Sequence, residues 1–256
     1  MIFLGFIFEY FMPELPEPDL KLLPGSIAIV ITILAFLVFY FMAISSRLGM
    51  RLHLRFSPEA ASVRSILLQR LTGTVLYGFV PVLVVVLVFR MPISHFGWNS
   101  ENLARTLTWW IPIALLVVAV TYFAARNGIS LASYPQIRVR QWDPGLILLS
   151  ALSWTVYLAG YESVFRGFLL FSCHESFGFW PAVIINISIY SLVHLPKGYR
   201  ETLGSVFLGF ILAYTTLRLG SFWFAFLVHL TLALSNEWFS IAFHPDMTLV
   251  RNQTSR

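Results

Sequence analysis

Charge is what this chain has least of. Only 11% of its 256 residues are Asp, Glu, Lys or Arg, against about 25% in soluble domains. That shortage excludes an ordinary soluble fold and leaves no surplus for a separate soluble domain. Cysteine is nearly absent too. The single Cys173 rules out an intrachain disulfide and a multi-cysteine metal site, and it reads as a helix-end packing residue. There is no internal repeat and no low-complexity tract. Met1 to Met12 is apolar but lacks a basic start and a small-residue cleavage site, so a signal peptide is not expected. At about a dozen residues this stretch is too short to span a bilayer.

What the chain has instead is hydrophobic sequence, 58% of it, arranged in long runs. Ser26–Ser45, Ile66–Phe89, Thr106–Ala125, Gly145–Cys173, Pro181–Lys197, Thr202–Leu217 and Ser221–Phe243 are the expected spans, each near or above the length a bilayer core requires. Ser57-Pro58-Glu59 reads as a helix start ahead of the second, and Pro81 inside that span is expected to kink it. The sixth span is the shortest and the weakest. The fold class expected is all-α, a polytopic membrane bundle of about seven helices. Its organisation is an interfacial segment over 1–25, one transmembrane domain over 26–243 and a polar tail over 244–256.

Lys and Arg set the orientation. With the amino terminus outside, Arg47, Arg51, Arg55, Arg64, Arg70, Arg126, Arg138, Arg140, Lys197, Arg200, Arg251 and Arg256 fall on the cytoplasmic side. Only Lys21, Arg90, Arg105 and Arg218 fall outside. The excess places the carboxy terminus in the cytoplasm. The net charge of +5 therefore reflects topology, and no nucleic-acid partner is expected.

One stretch departs from this apolar pattern, Tyr161-Glu162-Ser163-Val164-Phe165-Arg166-Gly167. Glu162 and Arg166 are spaced i, i+4, so they share a helix face within pairing distance. Ionisable groups inside a membrane helix are costly and normally face protein or a wet cavity. His194 lies in the fifth expected span, and His229 with Asn236 in the seventh. Counted from the outer loops at ~1.5 Å per residue, Glu162, His194 and His229 lie roughly 16, 20 and 12 Å deep. Three polar groups from three spans thus reach the middle of a ~30 Å core.

Several chemistries suit such a group. The Glu–Arg pair by itself also fits a structural salt bridge, and a lone membrane His most often bonds two helices. Together, Glu162, His194 and His229 could activate water, with Arg166 keeping the carboxylate charged and Asn236 supplying a donor. Two His and a Glu could equally hold a zinc ion with one position left for water. Buried acid, base and His are also found in proton-coupled carriers, although no repeated halves are present.

At these residues the chain resembles the CPBP family of intramembrane proteases, the type II CAAX prenyl proteases and bacteriocin-processing (Abi) enzymes. That family's pattern is Glu-Glu-x-x-x-Arg, then Phe-x-x-x-His, then His-x-x-x-Asn, each on its own helix. Glu162 to Arg166 is similar to the first motif, Tyr190 to His194 to the second, and His229 to the start of the third. The resemblance covers about 142–243. It implies an endopeptidase that hydrolyses a peptide bond of a membrane-associated protein or peptide with Glu- and His-activated water. The catalytic residues it implies are Glu162, His194 and His229, with Arg166, Tyr161 and Asn236 in support. Tyr190 stands in place of the second-motif Phe, and two further departures matter more: Tyr161 replaces the first glutamate and Ala233 the third-motif Asn. Tyr161 could then donate to substrate or oxyanion, or the protein could be a non-catalytic binding or immunity factor on the same scaffold. No cofactor is required if the glutamate acts alone; zinc would be the metal otherwise. A monomer in a bacterial inner membrane is expected.

Overall fold

The computed structural model describes residues 19–44 and 46–250. Residues 1–18 of the expected interfacial segment over 1–25, and the tail arginines Arg251 and Arg256, lie outside them. Among the described residues eight helices, short 3-10 turns aside, follow in order: α1 Leu23–Phe39, α2 Ser46–His53, α3 Pro58–Phe89, α4 Leu103–Arg126, α5 Pro144–Phe177, α6 Phe179–Leu192, α7 Tyr199–Leu219 and α8 Trp223–Phe243. Six helical stretches are long and apolar enough to cross a membrane, and α6 is a shorter apolar seventh. Gln141–Trp142 (β1) and Thr248–Leu249 (β2) form a short parallel pair that ties the tail to the entry of α5.

The bundle is apolar outward and polar inward. Leu115, Leu116, Trp180 and Phe207 are exposed, whereas Thr32, Thr121, Ser150 and Asn186 are buried. This is the arrangement a lipid solvent selects, because polar groups there must find partners within the protein. Helix α8 packs along α4 and against α5, α7 packs on α6, α3 on α5, and α1 on the last turns of α5. Among the six long helices α8 is the most enclosed. The elements carrying the motif residues therefore sit at the centre.

Local sequence explains the ends. Asp143 caps α5, its side chain accepting from Leu146 N at 3.0 Å, with Pro144 at the first position. Ser57 caps α3 in the same way, as its sequence suggests. At Pro81, where a kink is expected, wide π-helical turns lie on either side, Val75–Phe79 and Val84–Phe89. Such turns accommodate a residue that has no N–H to give. Helix α3 then meets α5 where Gly78 faces Gly160. A Cβ on Gly160 would stand 3.2 Å from the Gly78 nitrogen, so any larger residue there would have to push the two helices apart by a few tenths of an ångström.

The sixth expected span is a full 21-residue helix, α7. The fifth ends sooner than expected. Helix α6 stops at Leu192, and His194 lies beyond it, ahead of the 3-10 turn Leu195–Lys197. Pro196 is the cause. Its ring would clash with the carbonyl of Leu192 and it disfavours a helical Leu195. Arg70, expected as a cytoplasmic anchor, is instead buried inside α3.

Candidate active site

Glu162 ends the α-helical part of α5, and the chain continues as a π-helix over Ser163–Leu169. Every residue of this wide turn is buried. Single π segments within α-helices often occur at functional positions. Gly167 faces the Phe96 carbonyl, which a Cβ there would meet at 2.9 Å, so the loop after α3 closes tightly over the turn. Trp98 from that loop donates to Ser163 Oγ at 3.1 Å.

Glu162 and Arg166 are both fully buried, with Arg166 Nη1 3.5 Å from Glu162 Oε2. The pairing expected from i, i+4 spacing is present. No guanidinium nitrogen of Arg166 has a hydrogen-bond partner. Its Cζ instead lies 3.9 Å from the centre of the Tyr190 ring, a cation–π contact across helices. The other carboxylate oxygen meets α8: Glu162 Oε1 and His229 Nδ1 are 2.7 Å apart. A carboxylate only accepts, so Nδ1–H of His229 is the donor. The free lone pair of a neutral ring is therefore on Nε2.

His194 repeats this logic with a different acceptor. Its Nδ1 is 2.7 Å from the Tyr190 carbonyl, which again fixes the proton on Nδ1 and leaves Nε2 free. His194 and His229 both line a cavity of about 560 Å³ with Tyr190, Lys197, Glu201 and Asn236. Past His229, a smaller cavity of about 110 Å³ is walled by Tyr161, Tyr77, Tyr157, Arg70 and Ala233. His229 belongs to both cavities. Glu162 lines neither.

Tyr161 packs its ring edge-on to His229, with centroids 5.5 Å apart. Asn236 donates to Leu232 O at 3.0 Å and stands in the wall of the larger cavity, two turns from His229. Glu162 and His229 are thus brought into contact. His194 shares a cavity with His229 but not with Glu162, and Asn236 shares that cavity at a distance along the helix. Among the described residues no three His, Cys, Asp or Glu side chains are grouped to hold a metal ion. Glu162 Oε1 is taken up by His229, while Oε2 makes no hydrogen bond and has only the 3.5 Å ion contact with Arg166. Glu162, His194 and His229 do not meet as a zinc ligand set in this arrangement.

A second buried ion pair escapes local sequence patterns. Arg70 of α3 and Glu237 of α8 meet at 3.3 Å, with only 3% and 1% of their side chains exposed. One signal was available: Glu237 is an acid inside an otherwise uncharged apolar helix, two turns beyond His229.

Residues 141–235 match the family model described as Type II CAAX prenyl endopeptidase Rce1-like. This segment is similar to that family over fewer than half of the chain's residues. It holds Tyr161, Glu162, Arg166, His194 and His229, the residues whose spacing resembles the CPBP motifs. The six long apolar helices mark an integral membrane protein, and the matched family is one of CAAX prenyl endopeptidases. No curated protein and no solved structure gives a significant match. Asn236 and Glu237 lie just past the end of the Rce1-like segment.

Proposed function

We propose that the protein is an intramembrane endopeptidase that hydrolyses a peptide bond of a membrane-associated protein or peptide, with His229 as the base. One observation carries this reading: the 2.7 Å contact between Glu162 Oε1 and His229 Nδ1 leaves Nε2 free at the meeting of two cavities. Glu162 acts through His229, as a positioning carboxylate that fixes the tautomer and balances the imidazolium.

The step follows from that geometry. His229 Nε2 takes a proton from water as the water oxygen bonds to the scissile carbonyl carbon. The carbonyl electron pair moves to oxygen. As the tetrahedral intermediate collapses, the C–N bond breaks and His229 returns the proton to the leaving nitrogen. The products are a carboxylic acid and an amine, and transfer of the remaining acid proton to the amine gives a carboxylate and an ammonium. Arg166 keeps Glu162 ionised through this cycle. The Tyr161 hydroxyl, in the wall of the smaller cavity, is the donor we assign to the oxyanion. His194 Nε2 accepts the second water hydrogen and orients its lone pair. The partner is a lipid-embedded polypeptide entering from the larger cavity. We assign the chain to a bacterial inner membrane as a monomer, with the carboxy terminus cytoplasmic.

The test is proteolysis by the purified full chain in liposomes containing single-span reporter peptides, read as new termini by mass spectrometry. Cleavage is expected, and it is expected to persist in Cys173→Ser, because the only thiol is buried away from both cavities. A folded wild-type protein that produces no new terminus removes the protease reading. Loss of cleavage in Cys173→Ser alone points to a thiol mechanism instead.

A further inference from the structure

The Arg70–Glu237 pair lies outside the residues that the proposed reaction uses, yet it holds the helix that carries His229. Glu237 Oε2 accepts from Trp154 Nε1 at 2.7 Å and from Arg70 Nη2 at 3.3 Å. Its Oε1 accepts from the Ser150 hydroxyl. Arg70 Nη1 in turn donates to Ser150 O and Oγ, both at 3.0 Å, and to Ser153 Oγ at 2.7 Å. Arg70 Nη2 also reaches Gln136 Oε1 at 3.2 Å. The guanidinium covers the Trp154 ring at 4.0 Å. Three helices, α3, α5 and α8, are joined at one buried carboxylate.

The spacing gives this cluster its meaning. On α5, Trp154 precedes Glu162 by eight residues; on α8, Glu237 follows His229 by eight. Helices α5 and α8 run antiparallel, so the two contacts form two rungs separated by the same rise, about 12 Å. A rung made of one carboxylate and three converging donors cannot slide by a turn without stranding a buried charge. Apolar packing alone would tolerate such a slip, which is the recognised use of a buried polar cluster in setting register.

We propose that Glu237 is a positioning residue: by fixing the register of α8 on α5 through Trp154, Ser150 and Arg70, it places the His229 ring on Glu162. The consequence for turnover rests on the protease reading; the placement itself does not. A misplacement near 1 Å is worth about 10²-fold in rate, so the second rung is expected to matter to chemistry as well as to stability.

The experiment reads His229 directly. The full chain is labelled with 15N-histidine and studied in lipid nanodiscs, and the Nδ1–H resonance of His229 is assigned by its loss in His229→Asn. Glu237→Gln and Trp154→Phe are expected to shift or broaden that resonance. Thr121→Val is the control. It removes another contact to α8, the 3.0 Å bond from Thr121 to Ser235, and is expected to leave the resonance in place. If Glu237→Gln does not fold, Trp154→Phe decides. An unchanged His229 signal in the folded variants overturns the proposal, and so does an equal shift in Thr121→Val. No substrate is needed, so a shift obtained with a wild-type protein that cleaves nothing refutes the protease reading and leaves the positioning role standing.

Discussion

His229→Ala is expected to lower turnover of a cleaved membrane reporter by about 10²–10⁴-fold, the usual contribution of a general base. The ring is the part of the Glu162–His229 pair that faces open space, with 12% of its side chain exposed against none for Glu162. Removing it leaves water without a proton acceptor at the junction of the cavities. Glu162 keeps Arg166 as its partner, so the fold is expected to survive. His229→Asn separates the two roles further: its amide can still donate to Glu162 Oε1, yet it cannot take a proton. Stability close to wild type with activity as low as in His229→Ala is the expected pattern. Activity retained in His229→Asn would take the base role away from this residue.

Arg166→Met is expected to destabilise the protein by about 3–5 kcal/mol, because it leaves a buried carboxylate without its cation. Both members of the pair are wholly enclosed, so water cannot replace the lost charge. The contact with Tyr190 at 3.9 Å goes as well, adding about 0.5–2 kcal/mol. Hydrogen bonds contribute nothing to this sum, since no Arg166 nitrogen makes one. Glu162→Gln in the Arg166→Met background should therefore recover much of the loss, as neutralising both partners removes the stranded charge. Denaturant unfolding in detergent micelles measures both variants. An Arg166→Met protein as stable as wild type would mean that Glu162 needs no counter-charge.

Some of this arrangement is written in local spacing. Long uncharged runs specify a membrane bundle, and i, i+4 spacing places Arg166 against Glu162. Counting depth along separate spans puts Glu162 and His229 at one level, where they meet. Other features depend on neighbours distant in sequence. The π turn after Glu162 fits between the Trp98 loop, α3 and α6, and its residues look no different from those of an α-helix. His194 reads as helical because its segment is apolar, yet Pro196 stops the helix early, at Leu192, two residues before His194. Arg70 reads as an interfacial anchor because it is near the start of an apolar run. Its acid is 167 residues away, and a pair so remote has no periodic signature. Asn236 shares a face with His229 as its spacing implies, but its neighbour Glu237, marked only by being an acid in an otherwise uncharged helix, is the more firmly held.

The most direct measurement compares four proteins on one liposome reporter: wild type, Glu162→Gln, His229→Ala and the double variant. If Glu162 acts through His229, Glu162→Gln loses much of the rate while keeping the hydrogen bond's geometry, and the double variant is no slower than His229→Ala alone, because residues that act as a unit are non-additive. Multiplied losses in the double variant would mean that Glu162 meets the substrate or water on its own. A Glu162→Gln protein as active as wild type would contradict any catalytic part for the carboxylate.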